Sequence, residues 1–141
     1  MLSTINLFTR YGASAKAKLV YLGSPDSDLL SWVRSLNIEH VSPAELMRSE
    51  ISRRRSLTAV TEATLAALRR WFFARKPDAG FVLTDFPATL LQAKVFDEWL
   101  DTRGEMLAGV ASSETTPVEL VKHYRTLGLH IEGPELASIL V

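Results

Sequence analysis

Short runs of consecutive apolar residues alternate along this chain with stretches in which apolar residues recur every three or four positions. The runs suit strands covered on both faces and the recurrences suit amphipathic helices, so the alternation predicts a parallel sheet wrapped by helices. Strands are expected at Leu19 to Gly23, Glu39 to Ser42, Gly80 to Thr84, Met106 to Ala111 and Leu129 to Glu132. The run Phe81-Val82-Leu83 belongs at the centre beside the Leu19 strand, with the Glu39 strand at an edge. Between Thr58 and Arg75, the residues Val60, Leu65, Leu68, Trp71 and Phe72 form one apolar stripe, with Arg69, Arg70 and Arg75 off it. A helix from Ala88 to Thr102 is stopped by Gly104, and another from Pro117 is stopped by Gly128. Two helix starts carry the same signature, Ser42-Pro43-Ala44-Glu45 and Thr116-Pro117-Val118-Glu119. Each has a capping hydroxyl, a proline in the first turn and a glutamate placed to reach back.

The 141 residues, 47% of them hydrophobic, are enough for one domain with a real core. Residues 1–17 read as an extension and 18–141 as the domain. Sixteen basic residues balance 16 acidic ones, so no global field draws the chain to nucleic acid or to an anionic membrane, and neither is expected as a partner. The absence of cysteine excludes disulfides, thiolate catalysis and thiolate-bound zinc. No apolar run approaches the roughly 20 residues that span a bilayer. A cytoplasmic location is the expectation.

Little in the residue types alone announces catalysis. His40, His123 and His130 are far apart and lack ligand spacing, so no metal site is expected, and no Gly-x-Ser-x-Gly elbow supports a serine hydrolase. Arg48, Arg53, Arg54 and Arg55 match phosphate chemistry, but the run 53–55 equally suits a solvated helix end.

The most informative segment is Gly80-Phe81-Val82-Leu83-Thr84-Asp85-Phe86-Pro87, followed by a helix carrying Gln92. It is a buried strand running into a tight turn at the carboxyl edge of the sheet, where such folds bind ligands. This resembles the adenylate kinase family motif Gly-Phe-Leu-Leu-Asp-Gly-Phe-Pro-Arg-Thr with its later adenine-reading glutamine. Phe86 and Gln92 fall on family positions, while Thr84, Asp85 and Ala88 depart from Asp, Gly and Arg. Val41 to Arg48 is similar to the family's Ile-Ser-Thr-Gly-Asp-Met-Leu-Arg, with Arg48 retained and Pro43 in place of threonine. Leu57 to Leu68 and Val118 to Gly133 resemble two further family segments, in order along the chain. The resemblance implies a three-layer α-β-α fold with a five-stranded parallel sheet, and a candidate AMP-like pocket of Arg48, Phe86 and Gln92.

The same resemblance shows what has been lost. The family opens with a glycine-rich phosphate loop, Gly-x-Pro-Gly-x-Gly-Lys-Gly-Thr, whose amides and lysine hold ATP phosphates. Here Gly23 and Pro25 remain, Asp26 and Asp28 stand where glycines are expected, and Leu29 stands in place of the lysine. The segment from Val110 to Pro117 leaves no room for the family's lid and its arginines. The expected protein is an adenylate-kinase-like domain without an intact phosphate loop, lid or catalytic residues. It would act as a binding or interaction module for a nucleotide or another protein, with no cofactor. The alternative is an active nucleoside monophosphate kinase with an atypical phosphate site, for which Mg-ATP would be required.

Overall fold

The computed structural model describes residues 17–35, 38–47 and 57–131, with backbone alone for 57–61. Their order is β1 (Lys18–Leu22), α1 (Ser27–Ser35), β2 (Glu39–Val41), the single turn α2 (Pro43–Leu46), α3 (Leu57–Ala74), β3 (Phe81–Thr84), α4 (Leu90–Arg103), β4 (Gly109–Ser112) and α5 (Val118–Thr126). All pairings are parallel, in the order β2-β3-β1-β4. The Leu19 and Gly80 strands are therefore central neighbours, with β2 at an edge.

Alternation along the strands explains the layers. Val20, Leu22, Phe81, Leu83 and Val110 face α3, α4 and α5 across one core. Leu19, Val82 and Ala111 face the other way, toward Leu29 and Val33 of α1. A strand's side chains point to opposite faces with period two, so a continuous apolar run is what a doubly covered sheet requires. The first core is dominated by aromatics. Phe72 meets Phe96 edge-on at 5.7 Å, and Phe86 lies parallel to Trp99 at 6.2 Å.

Three expectations need correction. The sheet has four strands among the described residues, not five. Leu129 to Ile131 meets β4 only in the single parallel bridge Val110↔His130, because the chain has just left the turn after α5 and the described residues end at Ile131. The strand foreseen from Met106 begins at Gly109, since Met106 and Leu107 belong to the turn that follows Gly104. Of the two capping boxes, Ser42 does accept from the Glu45 amide at 3.3 Å, but the Glu45 carboxylate turns to His40 Nδ1 at 3.1 Å. Thr116 caps nothing; its hydroxyl donates to the Leu22 carbonyl at 2.6 Å. A cap uses the hydroxyl oxygen as acceptor, and that oxygen accepts the Ser113 amide at 2.9 Å instead.

α4 and α5 end alike. Gly104 and Gly128 take left-handed conformations (φ 64° and 74°), which glycine adopts without a Cβ clash. Beyond each, the next amide reaches back five residues: Glu105 N–H to the Leu100 carbonyl at 2.9 Å, and Leu129 N–H to the Tyr124 carbonyl at 3.0 Å. These paired Schellman turns direct both chain segments under the amino edge of the sheet.

At that edge the Glu105 carboxylate is buried, with 2% of its side chain exposed, among Arg75 at 2.5 Å, Lys18 at 3.2 Å and Arg103 at 3.4 Å. Arg75 also lies over the Phe72 and Phe81 rings, 4.5 and 4.8 Å from their centroids. Arg103 donates to the carbonyls of Phe73 at 3.0 Å and Arg75 at 2.8 Å, satisfying the end of α3 from a different helix. One carboxylate thus joins the start of β1 to the ends of α3 and α4. Glu105→Gln removes the only anion of the cluster and leaves buried cations uncompensated, so a loss of about 3 kcal/mol is expected in urea unfolding. A loss below about 1 kcal/mol would show that the cluster is not a structural tie.

Candidate functional site

The carboxyl ends of β1, β3 and β4 open into a cleft of about 240 Å³. Its walls are Gly23 and Ser24 after β1, Asp85 after β3, and Ser113, Thr115 and Thr116 after β4. The loops hold one another. Asp85 N–H donates to the Gly23 carbonyl at 3.0 Å, and the Ser24 hydroxyl donates to the Asp85 carboxylate at 2.9 Å. Thr116 receives the Ser113 amide at 2.9 Å while donating to Leu22. Gly23 is required by close approach: a Cβ there would lie 3.1 Å from the Ser113 hydroxyl and 3.3 Å from the Tyr21 ring.

Asp85 has φ 60°, a left-handed conformation in which aspartate is one of the few tolerated non-glycine residues. The family motif has glycine there, so the backbone shape of the turn is kept while a carboxylate has been added to the cleft. Among the described residues that line the cleft there is no lysine or arginine, and Asp85 is its formal charge. Such a surface presents hydroxyls and one anion, which is unsuited to gathering phosphates.

The residues that the sequence aligns with a phosphate loop have separate roles. Asp26 accepts the Leu29 amide at 2.7 Å, and its own carbonyl receives the Leu30 amide at 3.1 Å, so Asp26 caps α1. Asp28 sits exposed in the first turn, favourably placed against the helix dipole. Pro25 is half-buried in the connection before Asp26. Leu29, standing where the family lysine is expected, is 2% exposed and packs with Leu19, Val33 and Val82 in the second core. Its side chain faces away from the cleft.

Of the candidate pocket residues, Phe86 and Gln92 are held by separate structural contacts. Phe86 is 2% exposed and belongs to the aromatic core, edge-on to Phe96 at 5.8 Å. Gln92 is tied to its own helix start: its amide donates to Thr89 Oγ1 at 3.2 Å, and its side-chain oxygen accepts the Ala88 amide at 2.7 Å. Thr89, rather than a residue near Ala88, is therefore the cap of α4. Arg48 and the run Arg53 to Arg55 lie outside the described residues.

The histidines have structural partners. His40 Nδ1 faces Glu45 at 3.1 Å while Nε2 meets the Thr84 hydroxyl at 2.9 Å. This reproduces the carboxylate, imidazole and hydroxyl order of a hydrolase, but Thr84 is fully buried and no acyl group can reach it. His130 Nε2 bonds the Ser112 hydroxyl at 2.9 Å, and His123 Nε2 bonds Asp97 at 2.7 Å. Burial raises the Asp97 carboxyl above its ordinary pKa; the His123 hydrogen bond and charge oppose the shift, and the Asp101 charge adds to it. Burial, with a smaller effect from Asp97, also raises the Tyr124 phenol. No group of three or more histidine, aspartate or glutamate residues suited to a metal occurs among the described residues.

Asp85, Ser24 and the Ser113 to Thr116 run escaped the sequence reading as site residues. The signals were present: a carboxylate substituted into a turn glycine position, and four hydroxyl residues in five after an apolar strand.

The fold is a parallel α/β domain with a cleft at the carboxyl edge of its sheet. Its similarity is to adenylate kinases. The Moorella thermoacetica adenylate kinase is 29% identical over a match covering 69% of this chain and 52% of that protein. Those of Streptomyces coelicolor and Streptomyces avermitilis are 30% and 31% identical, over 62% and 63% of this chain and 46% of each relative. The chain spans about half the length of the curated relatives it matches, and is adenylate-kinase-like over that shared part. No protein-family profile matches it.

Three substitutions test these roles. Asp26→Ala should lower stability by about 1 kcal/mol through loss of the cap, and Asp28→Ala by about half of that or less. Leu29→Lys forces an ammonium into an apolar core, so a loss of at least about 2 kcal/mol is expected, with no gain of phosphate affinity. Denaturant titration separates the three variants. Equal effects of the two aspartate changes would remove Asp26 as the cap.

Proposed function

We propose that the chain is an adenylate-kinase-like binding or interaction module without phosphoryl-transfer activity. The observation that carries this reading is the position of Leu29. The residue standing where the loop lysine is expected is built into the core, and the cleft beside it presents Asp85 with hydroxyls. Phosphoryl transfer rests on positioning and on positive charge gathered around the moving group, and this cleft supplies neither from its described lining. Under this reading, any nucleoside monophosphate contact runs through Arg48 and the amide nitrogen of Gln92, with Phe86 acting only through packing. Mg-ATP has no role.

The test is a coupled assay for ADP formed from ATP and AMP with magnesium, beside calorimetry with each nucleotide. No turnover and no ATP binding are expected. Sustained turnover that disappears in Arg48→Ala would instead establish the active kinase reading, with a phosphate site of different construction.

A further inference from the structure

The two Schellman turns that close α4 and α5 leave a groove of about 240 Å³ between them, on the side of the molecule opposite the cleft. Leu100, Leu107 and Leu129 form its floor. Its lips are Met106 and Leu127, which are 79% and 49% exposed. Single exposed apolar side chains are ordinary, but two of them flanking one concave apolar surface form a continuous patch that water covers poorly.

One wall carries charge of a single sign. Asp97 and Asp101 lie one helical turn apart on α4, both lining the groove. Asp101 is exposed and makes no ion pair with a described residue, whereas Asp97 shares its carboxylate with His123. Glu105 also reaches the groove but is already surrounded by Lys18, Arg75 and Arg103. The carbonyl ends of α4 and α5 flank the same space, and helix carboxyl termini attract cations. The repulsion of Asp97 by Asp101 is offset when a cation approaches this wall.

We propose that this groove docks a basic amphipathic helix of a partner protein, with an apolar side chain entering between Met106 and Leu127 and lysine or arginine side chains meeting Asp97 and Asp101. The volume suits one or two aliphatic side chains, and the spacing of the two carboxylates matches cations one turn apart on the incoming helix. The inference stands on the groove alone and does not depend on whether the cleft has lost phosphoryl transfer.

The test uses the whole chain, isotope-labelled, with a synthetic helix of leucine and lysine at amphipathic spacing and a leucine and glutamate helix as control. The lysine helix is expected to shift amides in 97–107 and 127–129, with affinity that falls as salt rises. Met106→Gln with Leu127→Gln should weaken binding about tenfold or more without moving the unfolding midpoint, since both side chains are exposed. Asp101→Asn should weaken binding and flatten its salt dependence. Equal binding of the glutamate helix, shifts spread over the whole surface, or indifference to the double variant would overturn the proposal. Dimerisation of the chain alone, abolished by the same double variant, would overturn it in favour of a second copy as the occupant.

Discussion

A carboxylate held at 2% exposure among three cations must be matched closely in geometry, because every ion removed from water loses hydration that only its neighbours can replace. Glu105 meets that condition by drawing in groups from three places: Lys18 at the first strand, Arg75 just beyond α3 and Arg103 at the end of α4. The cations outnumber the anion, and the excess is absorbed by the surroundings. Arg75 rests on the faces of Phe72 and Phe81, and Arg103 is bonded to the carbonyls that end α3. The amino edge of the sheet is therefore fixed by a largely buried charge cluster. The aromatic core above it, with Phe72, Phe86, Phe96 and Trp99 in mutual contact, continues the same rigid body to the opposite edge.

That division of labour explains how a scaffold of this type can keep its shape while its chemistry changes. The carboxyl edge contributes little to the core. Its loops are joined by short polar bonds such as Ser24 to Asp85 and Thr116 to Leu22. Residue types there are constrained by the turn and not by packing, as the left-handed Asp85 illustrates in a position where the family has glycine. Leu29 shows the reverse constraint. Once an apolar side chain occupied that position, the second core could close over it, and a return to lysine would now oppose packing as well as alter charge.

The sheet was legible because doubly covered parallel strands write themselves as unbroken apolar runs, and the glycines at 104 and 128 mark helix ends through a backbone requirement that few other residues meet. What escaped were choices between partners. The sequence pattern at Thr116 fits a capping box, yet its hydroxyl oxygen accepts the Ser113 amide and its proton goes to the Leu22 carbonyl. Glu45 found His40, and Gln92 found the Ala88 amide. Local spacing lists the groups able to bond, whereas tertiary approach decides among them. The cleft was hidden for the same reason, since Ser24, Asp85 and Thr116 converge only when three strand ends are laid side by side. Of the fifth strand, the described residues hold one parallel bridge, Val110↔His130.

The placement of charge bears on function more than its total does. A net charge of zero conceals an amino edge where three cations surround one carboxylate and a groove beside it lined by Asp97 and Asp101. At the other edge, Asp26 and Asp28 follow β1 at the start of α1, and Asp85 follows β3 and lines the cleft. A polyphosphate approaching that edge meets anions, while a basic helix approaching the groove meets two carboxylates and an apolar floor. Among the described residues, the cleft is lined by one anion and the groove by Asp97, Asp101 and Glu105. An interaction module needs only such a surface on a rigid support, and the Glu105 cluster and the aromatic core provide that support without any contribution from the cleft.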